Sequence, residues 1–299
     1  MTMLSKTVFA FVFGAAACQQ QPQTPKEAPQ AEQKQGQEMA KELLAQFAAE
    51  KIDIDLAKGT VTVAAFMNEP PDPIEYLLIH RHGKRHEAMF VTKSKPSILN
   101  AALLLLGLQP GKNATYKDRE PAPTPEEMEK GVDPLIVTPP EGTQLWMTVR
   151  WTEESGVERE YCVEDLLADL SAGEAVRDAS FIYLGGRMAS IYKNEPEVFV
   201  ADMEGNLVSV CYLTPDNHLA TMRHARARDD QNWWLTDKVP KPGTEVKFTF
   251  HRQEPPMHKE REARLREEAA KKPADKAGEK PGDDKKPADK DAEKPAGGR

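Results

Sequence analysis

The richest cluster of reactive side chains is His80-Arg81-His82-Gly83-Lys84-Arg85-His86-Glu87. On an extended strand His80 and His82 point to one face, and a turn at Gly83 brings His86 back towards them. Three imidazoles and a carboxylate make a donor set suited to Zn or Cu. Arg81, Lys84 and Arg85 raise the local positive potential and work against a cation. The segment also reads as a solvated basic hairpin turn or an anion contact. The second cluster is Asp229-Asp230-Gln231-Asn232-Trp233-Trp234. Adjacent carboxylates can hold a hard cation or a sugar hydroxyl beside a stacking indole, and the run equally fits a loop whose tryptophans dock on the core. Asp202 and Glu204 beside Gly205 complete the set and have the composition of a hairpin turn. The ligand-binding candidates are therefore His86, Glu87, Asp202, Asp229 and Asp230, with no metal, cofactor or catalytic residue assigned.

Other motifs narrow the chemistry further. No Gly-x-x-x-x-Gly-Lys-Ser/Thr or Gly-x-Gly-x-x-Gly phosphate loop occurs, and Gly185-Gly186 reads as a bulge or tight turn. Neither a Gly-x-Ser-x-Gly elbow nor a His-Glu-x-x-His pair is present. Beyond Cys18 the cysteines are Cys162 and Cys211, which an oxidising compartment could join or which could be two separate core thiols. Neither lies in a Cys-x-x-Cys pair, so a thioredoxin-like role is unsupported. With 48 Asp+Glu against 40 Lys+Arg, the charge of −8 does not suit a nucleic-acid binder.

These residues must be positioned by one folded region set between two polar ends. Lys6 followed by the apolar run 8–17 has the form of an export signal, too short to span a bilayer. It ends in Ala15-Ala16-Ala17-Cys18, which resembles a bacterial lipobox, although Ala15 stands where Leu is usual. The expectation is a signal over 1–17, a lipid on Cys18 and a membrane partner held through that lipid. Residues 18–37, rich in Gln and Pro, read as an unfolded tether with an r.m.s. span of about 25 Å.

The folded region is placed at 38–252. A short helix over 38–50, with Met39, Leu43, Leu44 and Phe47 on one face, precedes strand patterns at 52–63, 73–79 and 87–92. A helix opening at Pro96 and closing at Gly107 carries four consecutive leucines and is expected to be buried on most sides. After a Pro-rich loop over 109–142 come a hairpin around 153–156, a helix at EDLLADL, and strands at SFIYLG, EVFVADM, LVSVCYL and GTEVKFTFHR. The sum is an α+β, β-rich fold: one mainly antiparallel domain of about nine strands with two or three short helices. In the charged tail 253–299, residues 258–272 set Glu four before a base, supporting a surface helix, and a Lys/Pro/Ala/Asp repeat follows as a solvated spacer or docking strip.

Several of these runs carry a family likeness. GTVTV, then PIEYLLIHRHGKRHEAMFVTKSKPSILNAALLLLGLQPG, then QLWMTVRW resemble the YdjY-like family of exported bacterial proteins. His86-Glu87, Lys95-Pro96, Ala101-Ala102-Leu103-Leu104, Gly107 and Pro110-Gly111 carry most of it, with Tyr183-Leu184-Gly185-Gly186, Ala201-Asp202 and Pro242-Gly243-Thr244 agreeing more loosely. His80 and His82 lie outside the shared pattern. The resemblance implies an exported domain, over roughly 58–250, of unassigned activity. The functional expectation is a lipid-anchored cell-envelope protein, facing the periplasm or cell exterior, whose domain binds an envelope protein or cell-wall partner or is structural, without catalysis. Its alternative is an exported metal- or small-ligand-binding domain with hydrolytic potential.

Overall fold

The alternating runs at 60–67, 144–152 and 245–251 become three central strands of a computed structural model that describes residues 30–70, 73–191 and 193–271. In chain order the elements are α1 (Gln30–Ala49), β1 (Ile52–Asp55), β2 (Thr60–Met67), β3 (Tyr76–His80), β4 (Ala88–Thr92), α2 (Pro96–Leu105), β5 (Thr115–Asp118), α3 (Pro125–Glu129) and β6 (Leu135–Thr138). Then come β7 (Gln144–Thr152), β8 (Glu158–Cys162), α4 (Val163–Leu166), β9 (Leu167–Asp169), β10 (Glu174–Ala175), β11 (Ser180–Tyr183), β12 (Met188–Ala189) and β13 (Val198–Phe199). The last are α5 (Val200–Glu204), β14 (Asn206–Ser209), β15 (Ala220–Arg223), β16 (Trp233–Leu235), β17 (Glu245–His251) and α6 (Pro256–Lys271). Residues up to Ala45 make one unit, described only as the early turns of α1; the chain from Gln46 onward makes the other.

In that second unit β2 buries every second residue, Val61, Val63, Ala65 and Met67, and β17 and β7 do the same through Phe248, Phe250, Met147 and Val149. The register sets Val63, Phe248 and Val149 side by side across the three strands. Pairing continues β7-β11-β15-β14-β3-β4 and returns to β2, closing an eight-stranded barrel. Phe90 meets Phe248 edge-on inside it at 5.9 Å. β1 and β8 lie outside the ring because β2 and β7 each divide one edge between two partners. On β7, residues 144–145 pair with β11 and residues 148–152 with β8. Closure removes sheet edges everywhere except where these appended strands end the ladder.

The architecture is β-rich α+β as expected, but richer in elements than the nine strands and two or three helices anticipated: the described residues hold seventeen strands, ten of them in the main sheet, and six α-helices. Several local expectations are corrected. Residues 73–92 are not a hairpin: β3 and β4 run parallel, joined by the short crossover 81–87. All five residues of each strand are buried, the pattern of a strand covered on both faces. EVFVADM is a strand only to Phe199; the chain then makes α5, which Gly205 closes in the left-handed conformation (φ 74°). EDLLADL makes one helical turn before β9 is drawn into pairing with β16. The four-leucine run buries Leu103 and Leu106 but exposes Leu104 and Leu105, since 100° per residue cannot place four neighbours on one face. Gly107 closes α2 at φ 82° as anticipated.

The ends and the long insertion differ too. α1 begins at Gln30, so residues 30–37 are helical rather than unfolded tether. The Pro-rich insertion 109–142 is a β5–β6 hairpin with α3 in its connection, tied down by Tyr116 Oη to Tyr212 O at 2.9 Å, Asn113 Nδ2 to Leu213 O at 2.8 Å, and an Arg228–Asp133 ion pair. α6 is helical where charge pairing suggested, yet His258 and Arg261 are buried against α4 rather than solvated. The signal, Cys18 and the repeat tail lie outside the described residues.

Candidate functional site

The β3–β4 crossover explains the histidine cluster. Gly83 and Gly205 pack backbone to backbone: a Cβ on Gly83 would lie 2.8 Å from Gly205 O, and one on Gly205 2.7 Å from Gly83 N. This contact, with His80 N donating to Gly205 O at 2.7 Å, folds His82 back over His80. His80 Nε2 donates to Lys93 O (3.2 Å), so its Nδ1 accepts from His82 Nδ1 at 2.6 Å. Burial, then the His82 charge, lowers the His80 pKa and favours the neutral ring this pairing needs. His86 does not join them: it is 63% exposed, with Nε2 3.2 Å from Glu87 Oε1. The three imidazoles are therefore not assembled, and no group of three or more His, Cys, Asp or Glu with metal-binding geometry occurs among the described residues.

Glu87 and Asp230, two of the five candidates, both act on one carboxylate, Glu75. Lys84 Nζ lies 3.2 Å from Glu87 Oε2 and 3.6 Å from Glu75 Oε2. Burial foremost, then the hydrogen bond and charge of Glu87 and the more distant charge of Asp230, hold the Glu75 carboxyl above the usual range, with Lys84 opposing. Asp229 Oδ1 accepts from Gln231 N (2.9 Å) and Asp230 Oδ1 from Gln231 Nε2 (3.1 Å), so both Asp residues shape their own loop. Beside them Trp233 is fully buried while Trp234 is partly exposed.

Asp202 is used elsewhere. α2 begins at Lys95-Pro96 with no local side-chain cap, and Asp202 Oδ1, from α5, accepts Ser97 N at 2.7 Å while Oδ2 pairs with Lys95 Nζ at 3.2 Å. A carboxylate here satisfies a first-turn donor and the positive helix end. Asp202→Ala should lower stability by about 1 kcal/mol, as loss of an N-cap does, seen as a shift of the urea midpoint; an unchanged midpoint would refute the capping role.

The cysteines are separate, buried thiols rather than a disulfide. Burial pushes Cys162 up to about 12 and Cys211 well above its ordinary value, the latter also through Glu75 and Asp230. Neither is a thiolate nucleophile at neutral pH.

Sequence reasoning missed the open surface beside the β7–β8 hairpin. Trp151 and Tyr161 stack with centroids 5.5 Å apart, and Lys238 Nζ stands 5.9 Å from the Tyr161 centroid. They border a cleft of about 700 Å³ against the segment 237–241, rimmed by Arg159, paired with Glu153 at 2.8 Å, and by Lys241, paired with Glu154 at 3.1 Å. On the other side of Tyr161 and Lys238 a second cleft, about 450 Å³, separates β8 from α6. The signal was present: Trp151 and Tyr161 fall on one face of the alternating hairpin.

The model of the YdjY domain family matches residues 52–251. No curated protein and no solved structure matches the chain.

Proposed function

Since the chain belongs to the YdjY family, whose membership carries no assigned reaction, we propose that it is a lipid-anchored binding protein of the cell envelope, without catalysis. One contrast carries this reading. The groups that offered chemistry hold the fold: Asp202 caps a helix, His80 pairs with His82, Glu87 with Lys84, and the thiols are buried. The β7–β8 hairpin instead borders an open cleft with charged side chains and with Tyr161, half-buried and stacked on the buried Trp151, the mix of an aromatic and polar groups found at recognition surfaces. Export and anchoring rest on Lys6, the apolar run 8–17 and Cys18. The lipid would place the domain at a membrane surface facing envelope proteins or cell wall. Feeding a clickable palmitate analogue to cells expressing the full chain should label the wild type and fractionate it with membranes. Cys18→Ser should lose the label and leave the membrane fraction; undiminished labelling would overturn the anchor.

A further inference from the structure

The binding reading leaves open where a partner docks, and β8 supplies an answer. In the hairpin Glu153 N donates to Val157 O at 2.8 Å, which makes Glu153 and Val157 a hydrogen-bonded pair. Such pairs alternate along an antiparallel ladder, so Trp151 with Arg159 and Val149 with Tyr161 are the next ones. The backbone N–H and C=O of Glu158 and Glu160 therefore point away from β7, and no strand among the described residues pairs with that edge. α6 covers only the far end, where His258 and Arg261 are buried against Glu164 and Asp165. Glu158, Arg159 and Glu160 are exposed, and the 450 Å³ cleft lies between this edge and the α6 wall, to which Met257 and Leu265 contribute apolar surface.

Charge selects the occupant. Glu158 and Glu160 project to the same face; Arg150 stands across the ladder from Glu160 and the cations of the neighbouring cleft are matched by its other carboxylates, but no ion pair among the described residues engages Glu158 or Glu160. A second copy of the chain is disfavoured: each two-fold register over Glu158–Glu160 sets glutamate opposite glutamate, and like charges directly opposite destabilise a ladder. The same charges blunt edge-to-edge aggregation while admitting a strand with bases two residues apart. We propose that the free edge of β8 takes up an extended basic segment of a partner protein, with Lys or Arg at alternate positions, as an added antiparallel strand beside α6. Main-chain bonds to Glu158 and Glu160 supply affinity and the two carboxylates supply selectivity. This inference deepens the binding reading and rests on it.

The test is fluorescence anisotropy of the full chain with a labelled Thr-Lys-Val-Lys-Val-Lys-Thr peptide at physiological salt. Saturable binding is expected, weakened about tenfold or more when the lysines become glutamates. N-methylation of the peptide amides facing β8 should abolish it. Glu160→Pro removes an N–H that faces outward, so the β7 ladder and the thermal midpoint should survive while binding is lost. Glu158→Lys with Glu160→Lys should reverse the peptide preference. Undiminished binding by a folded Glu160→Pro protein, or no saturable binding, overturns the proposal. So does a wild-type dimer that Glu160→Pro dissociates, or a large gain in peptide affinity on removing residues 272–299, which would make a second copy or the chain's own tail the occupant. Cys18 labelling is independent, so failure here with labelling intact removes this site and leaves the anchored-protein reading standing.

Discussion

Replacing Arg261 by alanine should destabilise the protein by about 3–5 kcal/mol, the range for breaking a buried ion pair by removing one partner. Only 3% of this side chain is exposed. Its Nε donates to Asp165 Oδ1 at 3.0 Å, Nη2 to Val176 O at 2.6 Å and Nη1 to Glu262 Oε1 at 2.8 Å. Alanine would leave Asp165 with only the more distant Lys238, 3.9 Å away, and the Val176 carbonyl without its side-chain donor. It would also withdraw a positive charge from beside Glu164, whose Oε2 is already buried without a hydrogen-bond partner. Lysine should recover only part of the loss, because a point charge cannot reproduce the fork to a carboxylate and a carbonyl together. Urea unfolding followed by tryptophan fluorescence gives the magnitude, and limited trypsin digestion should cut within α6 of the variant first. A loss below about 1 kcal/mol, the range of surface pairs, would mean that α6 is held by something other than this contact.

That contact also shows where sequence reading stops. Residues 258–272 pair charges locally as a solvated helix would, and nothing in the pattern marks Arg261 as the one that turns inward. Its partner Asp165 lies 96 positions away, and only the fold brings the two together. The hairpin of β7 and β8 was legible because its information is local: period-two alternation on both arms around a turn with Gly156 at φ 83°. β3 and β4 misled because a glycine between two apolar runs usually makes a hairpin. Full burial of both strands, the mark of parallel pairing, is visible only once their neighbours are known. Barrel closure, which depends on β2 dividing its edge between β1 and β4, has no local signature. Gly111 becomes intelligible in the same way: a Cβ there would collide with the Glu141 carbonyl oxygen at the base of the insertion. Among the candidate residues, convergence was not readable: Asp202, on helix α5, turned to the α2 terminus, while Glu87 came to rest beside Glu75 and Lys84.

Acidification from pH 6.5 to 4 should cost the protein about 3 kcal/mol through His218 alone. This imidazole is fully buried, its Nε2 has no hydrogen-bond partner, and desolvation lowers its pKa from 6.5 to about 4. The unfolded chain takes up a proton near pH 6.5 while the native ring refuses one until about 4. The stabilisation is therefore complete above 6.5 and is lost as pH falls through the window, with a limiting slope of about 1.4 kcal/mol per pH unit. His80, His224 and His251 are also lowered, chiefly by burial, and add to the loss with the same sign. His258 opposes it. Lying 2.8 Å from Glu254 Oε1 and 3.7 Å from Glu164 Oε1, its pKa is raised by these carboxylates against the desolvation that is the largest influence on it. Its contribution is full below 6.5 and fades as pH rises through its folded value, so it tightens α6 where His218 weakens the barrel. Glu75, raised chiefly by burial, likewise gains on acidification. Unfolding free energies measured by urea between pH 4 and 8 separate these signs: His218→Leu should flatten the acid limb by nearly one proton, whereas His258→Gln should leave the slope of that limb unchanged, lower the stability by a constant amount below pH 6.5, and converge on the wild type as pH rises. An acid limb that keeps its full slope in His218→Leu would show that the proton is taken up elsewhere.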